Sequence, residues 1–535
     1  MLSTFLSLVA PATLAAALLP NGRLNANFPP LPLPPVVDLP ATHGPLSSAT
    51  LPPLNTTYIF DQLIDHSNPS LGTFQQRYWM NWEFYVEGGP IIIFTPGEAN
   101  AAPYTGYLTN RTINGQIAQQ EKGATIVIEH RFFGLSNPYP DLTVESLKYL
   151  TIQLGVEDLV YFAKTATLPM PGGDNVKPDQ VPWVLVGGSY SGALTAFTMV
   201  NQPDVFWAGY SSSGVVESIV DFWQYFEPIR EHMPQNCSAD VQAVIAHFDS
   251  IASNTRAFNA LKAKFGMADV VHPDDAVGAL RNNLWDWQAL SPSSGPGARF
   301  FNFCDALEVD NGKVAPAGGF GLSHALDAWS SYFANTYLPL STSIVSLCGS
   351  ANRNDCLGTY DRNATYYTDT TIDNSGRSWT WIVCNEVGYF QDAAPAGHPT
   401  LVSHLDQPSS DERQCEWMFP AAFATPPVPP VQKTNAAYGG WDMSVPRLFF
   451  ATGMRDPWRD ATMSADGVTP KGTDPSFIGL SDGFHCSDLS TANGIVDKTV
   501  LTVQTTALGK IHEWLQEFKP AAAATKRAYG YPVRR

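Results

Sequence analysis

Residues 182–194 constrain what this chain can fold into more than any other stretch. Pro182 to Val186 is an apolar, β-branched run that reads as a buried strand. The paired glycines, Ser189 and the small residues after it read as a sharp turn into a helix. A serine at such a turn adopts a strained backbone, so its neighbours two positions away must be small, and Gly187 and Ser191 meet that demand. The helix N-terminus beneath would stabilise negative charge developing beside the serine. The run Gly479-Leu480-Ser481-Asp482-Gly483 fits the glycine spacing of such a turn even better. However, no helix-forming stretch follows it, and a serine there leaves no ordered acid and base downstream.

The flanking sequence supplies a sheet for this turn. Residues 60–66 and 72–79 read as opening strands of a mixed sheet, and 90–98 and 125–134 as apolar strands buried on both faces. Helices are predicted at 106–120 and 147–166, and a further strand at 206–216. Strand, helix, strand, helix, strand, turn, helix is a parallel doubly wound arrangement. From about residue 216 the texture changes to aromatic-rich amphipathic helices, such as 219–229. Strands then return at 445–453 and 475–480, before a closing helix at 496–518. The expectation is an α/β-hydrolase core of residues 55–215 and 440–519, interrupted by a helical, disulfide-bearing cap at 216–439.

Composition narrows the partners. A net charge of −18 over 535 residues, with no basic run before the tail at 520–535, argues against nucleic acid and anionic membrane. Residues 1–19 read as a secretory signal peptide, and the proline-rich residues 20–54 as a linker or pro-segment. Sequons at Asn55, Asn110, Asn236 and Asn363 fit a secreted protein, with a vacuole or lysosome as the other destination. Six of seven cysteines (Cys237, Cys304, Cys348, Cys356, Cys384 and Cys415) fall within the insert, as a disulfide-stapled domain requires. Cys486 is the odd one out. No Cys/His ligand spacing occurs, and neither a metal nor a cofactor is expected. Oligomeric state stays open.

In the α/β-hydrolase order a serine is followed by an acid after a late strand and a histidine after the last one. Asp456 follows the strand ending near Ala451, and His485 follows Leu480. Asp460, Asp466 and Asp482 are the alternative acids, and His512 falls on the closing helix. The first oxyanion donor is expected to be the Tyr190 N–H, and the second to come from the loop at Gly97-Glu98.

These residues resemble the S28 serine peptidases, through Asp65-His66, Glu129-His130-Arg131, Gly187 to Gly192, Cys384-Asn385-Glu386, Asp456-Pro457-Trp458 and His485. The resemblance is greatest to the secreted fungal enzymes that act at proline. It implies a Ser189–Asp456–His485 triad, cleavage after proline in acidic surroundings, and peptide or protein substrates. It also implies a substrate pocket near Trp458 and Tyr389, with Glu98 nearby. Exopeptidase action within the same family is the alternative, and an esterase on the same fold is the rival class. Pairing is expected for Cys384 with Cys415, Cys348 with Cys356, and Cys237 with Cys304.

Overall fold

The computed structural model describes residues 51–339, 352–472 and 474–521. Its frame is an eight-stranded sheet of β1 (Tyr58–Leu63), β2 (Thr73–Asn81), β3 (Ile91–Thr95), β4 (Ala124–Ile128), β5 (Trp183–Gly188), β6 (Ala208–Ser212) and two late strands. Four short strands lie in the insert: β7 (Ile219–Asp221), β8 (Val309–Asp310), β9 (Lys313–Val314) and β10 (Gly388–Phe390). They pair only among themselves, β7 with β10 and β8 with β9. The late strands β11 (Leu448–Gly453) and β12 (Ile478–Ser481) complete the main sheet in the order β1-β2-β4-β3-β5-β6-β11-β12. The first two strands run antiparallel to their neighbours, and the other six are mutually parallel. The fold is that of an α/β-hydrolase, with a mainly helical, disulfide-bearing insert.

Layering explains why the inner strands lack alternation. Every residue of β3, β4 and β5 is buried. Ile92 and Phe94 pack with Ile113 and Ile117 of helix Ile113–Glu121 and with Val503 and Ile511 of helix Lys498–Gln516. Ile91 and Ile93 face the opposite layer, with Val156, Phe162 and Phe197 from helices Ile152–Thr165 and Tyr190–Asn201. A strand covered on both faces must be apolar throughout. Because the six inner strands are parallel, the loops after β3, β5, β11 and β12 all emerge at one edge of the sheet.

Two expected helices are corrected. Residues 106–120 break into a 3₁₀ turn, Ala102–Leu108, and helix Ile113–Glu121. Thr109 and Thr112 donate their hydroxyls to the carbonyls of Gly106, Tyr107 and Thr109, offering the backbone an alternative to helix. Residues 219–229 are not one amphipathic helix. They form β7, a turn at Trp223–Phe226 and the start of helix Glu227–His232. Pairing with β10, extended by the Phe222 N–H to Phe390 carbonyl bond of 2.7 Å, overrides the helical spacing.

The Cys237–Cys304 and Cys384–Cys415 disulfides are present in the insert. Closing loops of 67 and 31 residues, each stabilises by about 4 kcal/mol through the lost freedom of the unfolded chain. Cys486 is buried and free. Cys348, and with it the expected bond to Cys356, lies outside the described residues, as do residues 1–50 and 522–535.

The segment carrying β10 is held by one buried cation. Arg281 donates to the Gln391 carbonyl at 2.6 Å, pairs with Asp406 at 2.6 Å and lies 3.9 Å from Asp392. Asp411, Asp221, Asp274, Asp275 and Arg413 complete the charges around it. The carboxylates outnumber the cations. Burial, together with neighbouring carboxylates, pushes Asp392 well above the ordinary range, and burial pushes Asp406 up to about 7. A carboxyl whose pKa is raised on folding costs stability as pH climbs from the ordinary carboxylate value to the raised one. Asp392→Asn is therefore expected to raise the thermal midpoint at about pH 8 by several degrees and to change it little near pH 4. Thermal unfolding at both pH values checks this, and an unchanged gap between them would count against it.

Candidate active site

Ser189 sits at the end of β5 with φ 57° and ψ −126°, a conformation L-residues avoid. Its surroundings leave no alternative. A Cβ on Gly187 would lie 2.0 Å from the Ser191 carbonyl oxygen, and one on Gly192 2.8 Å from that of Ser212. Ser191 locks the turn by donating its hydroxyl to the Gly188 carbonyl at 2.7 Å and accepting the Gly188 N–H at 3.0 Å. The Ser189 N–H donates to Ser212, and its carbonyl accepts from Ala193. Its side chain stays slightly exposed, at 8% of the residue.

Asp456 and His485 meet on the loops after β11 and β12. His485 Nδ1 lies 2.8 Å from Asp456 Oδ1, which also accepts the Trp458 N–H at 2.9 Å. Gly453 makes this approach possible, because a Cβ there would lie 2.2 Å from the Gly483 carbonyl oxygen. His485 Nε2 makes no hydrogen bond among the described residues. Burial disfavours the imidazolium, but the Asp456 carboxylate and Cys486 together outweigh it and hold the His485 pKa well above its ordinary value.

Residues 212 and 213 join the serine to this pair. Ser212 accepts the Ser189 N–H through its carbonyl, and Ser213 Oγ accepts the Cys486 N–H at 2.9 Å. Asp488 reinforces the bridge by accepting from Tyr210 and Ser212 hydroxyls at 2.6 and 2.9 Å. The sequence analysis does not single out Asp488, whose one signal is its place three residues after His485.

The alternative acids are engaged elsewhere. Asp460 accepts the Asp466 N–H, Asp466 pairs with Arg459, and Asp482 is exposed with its N–H on Thr499. His512 pairs with Glu121 on the exposed closing helix. Ser481, the serine of the rejected run, is buried at the end of β12.

The loop after β3 differs in one detail from expectation. Gly97 has φ 74° and donates its N–H to Thr95 Oγ1 at 3.2 Å, so this amide is not turned to a ligand. The next amide belongs to Glu98. The Glu98 side chain is buried with Oε2 unpartnered, and burial pushes its pKa up to about 7, against smaller opposing pulls from its own backbone N–H and from His485.

Trp458 is boxed by aromatic rings. Phe222 stacks on it at 5.4 Å, while Tyr225 and Tyr389 meet it edge-on, each at 5.4 Å. Gln288 Oε1 accepts both the Trp458 indole N–H at 2.8 Å and the Tyr225 hydroxyl at 2.9 Å. Tyr389 donates its hydroxyl to the Val215 carbonyl at 2.6 Å. The indole N–H and the two hydroxyls are thus fixed, and the rings pack on one another beside the Asp456 loop. The family resemblance pointed to Trp458 and Tyr389, but not to Gln288, nor to Phe222 and Tyr225, which lie in the 219–229 run read as helix. Among the described residues no group of His, Cys, Asp or Glu could hold a metal ion, and no helix is long and apolar enough to cross a membrane.

Comparison with known proteins agrees with this geometry. The family model described as serine carboxypeptidase S28 matches residues 62–282 and 334–504. The chain is similar to the serine protease vicPa of Bipolaris victoriae, 33% identical over 92% of this chain and 96% of that one. It is also 34% identical to vicPb of the same fungus, over 86% of this chain and 89% of that one. A probable extracellular serine carboxypeptidase of Arthroderma benhamiae is 30% identical over 83% of this chain and 64% of its own. The chain belongs to the S28 family and is a serine peptidase of that family on an α/β-hydrolase fold.

Proposed function

We propose that this peptidase hydrolyses bonds on the C-terminal side of proline through Ser189, His485 and Asp456. Ser189 Oγ attacks the carbonyl carbon while its proton passes to His485 Nε2. The leaving amine takes that proton, and water then releases the acyl group from the serine. Asp456 keeps the proton of the resting imidazole on Nδ1 and offsets the charge of the imidazolium. The observation that carries this reading is the Asp456–His485 pair with its open Nε2. The Tyr190 N–H, at a helix start with no acceptor within the helix, supplies one oxyanion donor, and the loop at Gly97-Glu98 the other.

The proposed catalytic core is residues 55–215 and 440–519, and the cap residues 216–439. A leader at 1–19 and glycans at Asn55, Asn110, Asn236 and Asn363 belong to the same reading of a secreted enzyme. The exposure of Asn55, Asn110 and Asn363, and the extracellular relative, support it. Blocked and unblocked proline peptides separate endopeptidase from exopeptidase action.

Ser189→Ala is expected to abolish turnover without loss of fold, and Asp456→Asn to lower kcat by on the order of 10⁴ through the wrong histidine tautomer. Steady-state kinetics with a proline peptide tests both, and greater damage from Asp460→Asn would show the acid to be misassigned.

Proline is compact and apolar, and aromatic walls suit it. Trp458→Ala should weaken cleavage after proline by about 1–3 kcal/mol in transition-state binding, and cleavage after alanine less. If both substrates lost rate by the same factor, Trp458 would only be packing the acid's loop.

Glu98 ties the site to acidic surroundings. Below about pH 7 its carboxyl is neutral. Above that, its ionisation sets a negative charge beside the forming oxyanion, so the ratio of Glu98→Gln to wild-type kcat/KM should climb as pH passes about 7. A ratio flat across that range would remove Glu98 from the pH response.

A further inference from the structure

The Glu129-His130-Arg131 run is buried, and hydrolysis as described above uses none of it. Glu129 and Arg131 have evident structural work. Glu129 accepts from Arg77, Ser136 and the Leu135 N–H, and from the Ala101 N–H on the loop after β3. Arg131 pairs with Asp158 and donates to the carbonyls of Leu63, Ile64 and Tyr149.

His130 has a different partner. Its Nδ1 lies 2.8 Å from the Arg131 carbonyl oxygen, which can only accept, so Nδ1 carries the proton and Nε2 the lone pair. The Tyr190 hydroxyl, 3.3 Å from Nε2, therefore donates to it. Trp379, on the insert helix Ser375–Ile382, meets the Tyr190 ring edge-on at 5.2 Å. The oxyanion loop leans on the same ring, since a Cβ on Gly97 would lie 3.3 Å from Tyr190 Cδ1.

We propose that His130 is a positioning residue for hydrolysis. By accepting the Tyr190 hydroxyl, it fixes the ring that spaces the two oxyanion loops and so fixes the Tyr190 N–H. The inference rests on Ser189 being the nucleophile. Preorganised donors matter because deleting one costs about 10²–10³ in rate, and a misplaced one costs part of that.

Protonation would break the device. Burial, with a smaller push from the Arg131 charge and against pulls from the Arg131 carbonyl and Asp158, lowers the His130 pKa to about 4. Tyr190, whose own surroundings include Glu98, Glu386, Tyr389 and Tyr438, stays un-ionised. Below about pH 4 Nε2 holds a proton and cannot accept.

The test is the rate of phosphonylation by a fluorophosphonate, which needs no assumption about peptide specificity. The Ser189 Oγ–P bond forms as the P–F bond breaks, fluoride leaves and the serine proton goes to His485. Tyr190→Phe, which removes only the hydroxyl, should lower the maximal phosphonylation rate about tenfold while the reagent's binding constant and the thermal midpoint hold. His130→Leu should match it. His130→Gln, which offers a neutral amide oxygen near the place of Nε2, should keep most of the rate. A wild-type phosphonylation rate in Tyr190→Phe would overturn the proposal, as would equal losses in the Gln and Leu variants. If His130→Leu does not fold, Tyr190→Phe alone decides. Ser189→Ala must remain unlabelled; labelling there would overturn the nucleophile assignment itself, an outcome distinct from failure of the positioning role.

Discussion

The structure depends on one backbone conformation, the left-handed turn at Ser189. Such a residue costs of order 1–3 kcal/mol and persists only where its surroundings over-determine it. Here they do so from three directions. β5 is buried on both faces and cannot shift, and Gly187 and Gly192 admit backbone atoms where any Cβ would clash. The Ser189 N–H is tied to Ser212. The strain is thus balanced by the packing of the whole sheet. This explains why the parallel core is wrapped by helices on both faces, while the less constrained chemistry sits on loops.

The same edge of the sheet gathers carboxyls, buried in Asp456 and Asp488 of the core and Glu98 on the loop after β3, and half-buried in Glu386 from the insert. Each meets burial differently. Asp456 has His485, and Asp488 accepts two hydroxyls. Glu98 has one oxygen without a partner, and Glu386 accepts the Ile152 N–H at the start of a core helix. Those without a cation are pushed toward the neutral form, because an isolated charge in a low-dielectric interior costs more than a protonated acid. The Arg281 cluster repeats the pattern away from the site. Acidity and compactness are therefore coupled through the same groups, in the insert as in the core.

How much of this was legible in the sequence varies with the range of the interaction concerned. The turn at Ser189 could be read because its demands are local: small residues two positions away, a strand before and a helix after. The β11 and β12 loops could be read because parallel topology fixes the edge at which they emerge. The insert was harder. Ile219 to Asp221 carries helical spacing, yet pairs with Gly388 to Phe390, over 160 residues later. The Thr109 and Thr112 hydroxyls broke a helix by bonds that hydropathy does not register. Gly97 shows the limit at atomic scale, since position alone cannot tell that its N–H turns to Thr95.

The aromatic box shows why the site cannot belong to the core alone. Trp458 is fixed by the acid's loop, Phe222 and Tyr225 by the segment leaving the core, Gln288 by the interior of the insert, and Tyr389 by β10. None of these segments is adjacent in sequence to the serine. Their rings keep their relative angles because each polar end has one acceptor, Gln288 or Val215. Moving the insert would therefore open the box before it disturbed Asp456 and His485, whose bond lies wholly within the core loops. The ring cluster and the Asp456–His485 pair are thus separately held. They are joined at Tyr190, where a core histidine and an insert tryptophan meet the same ring.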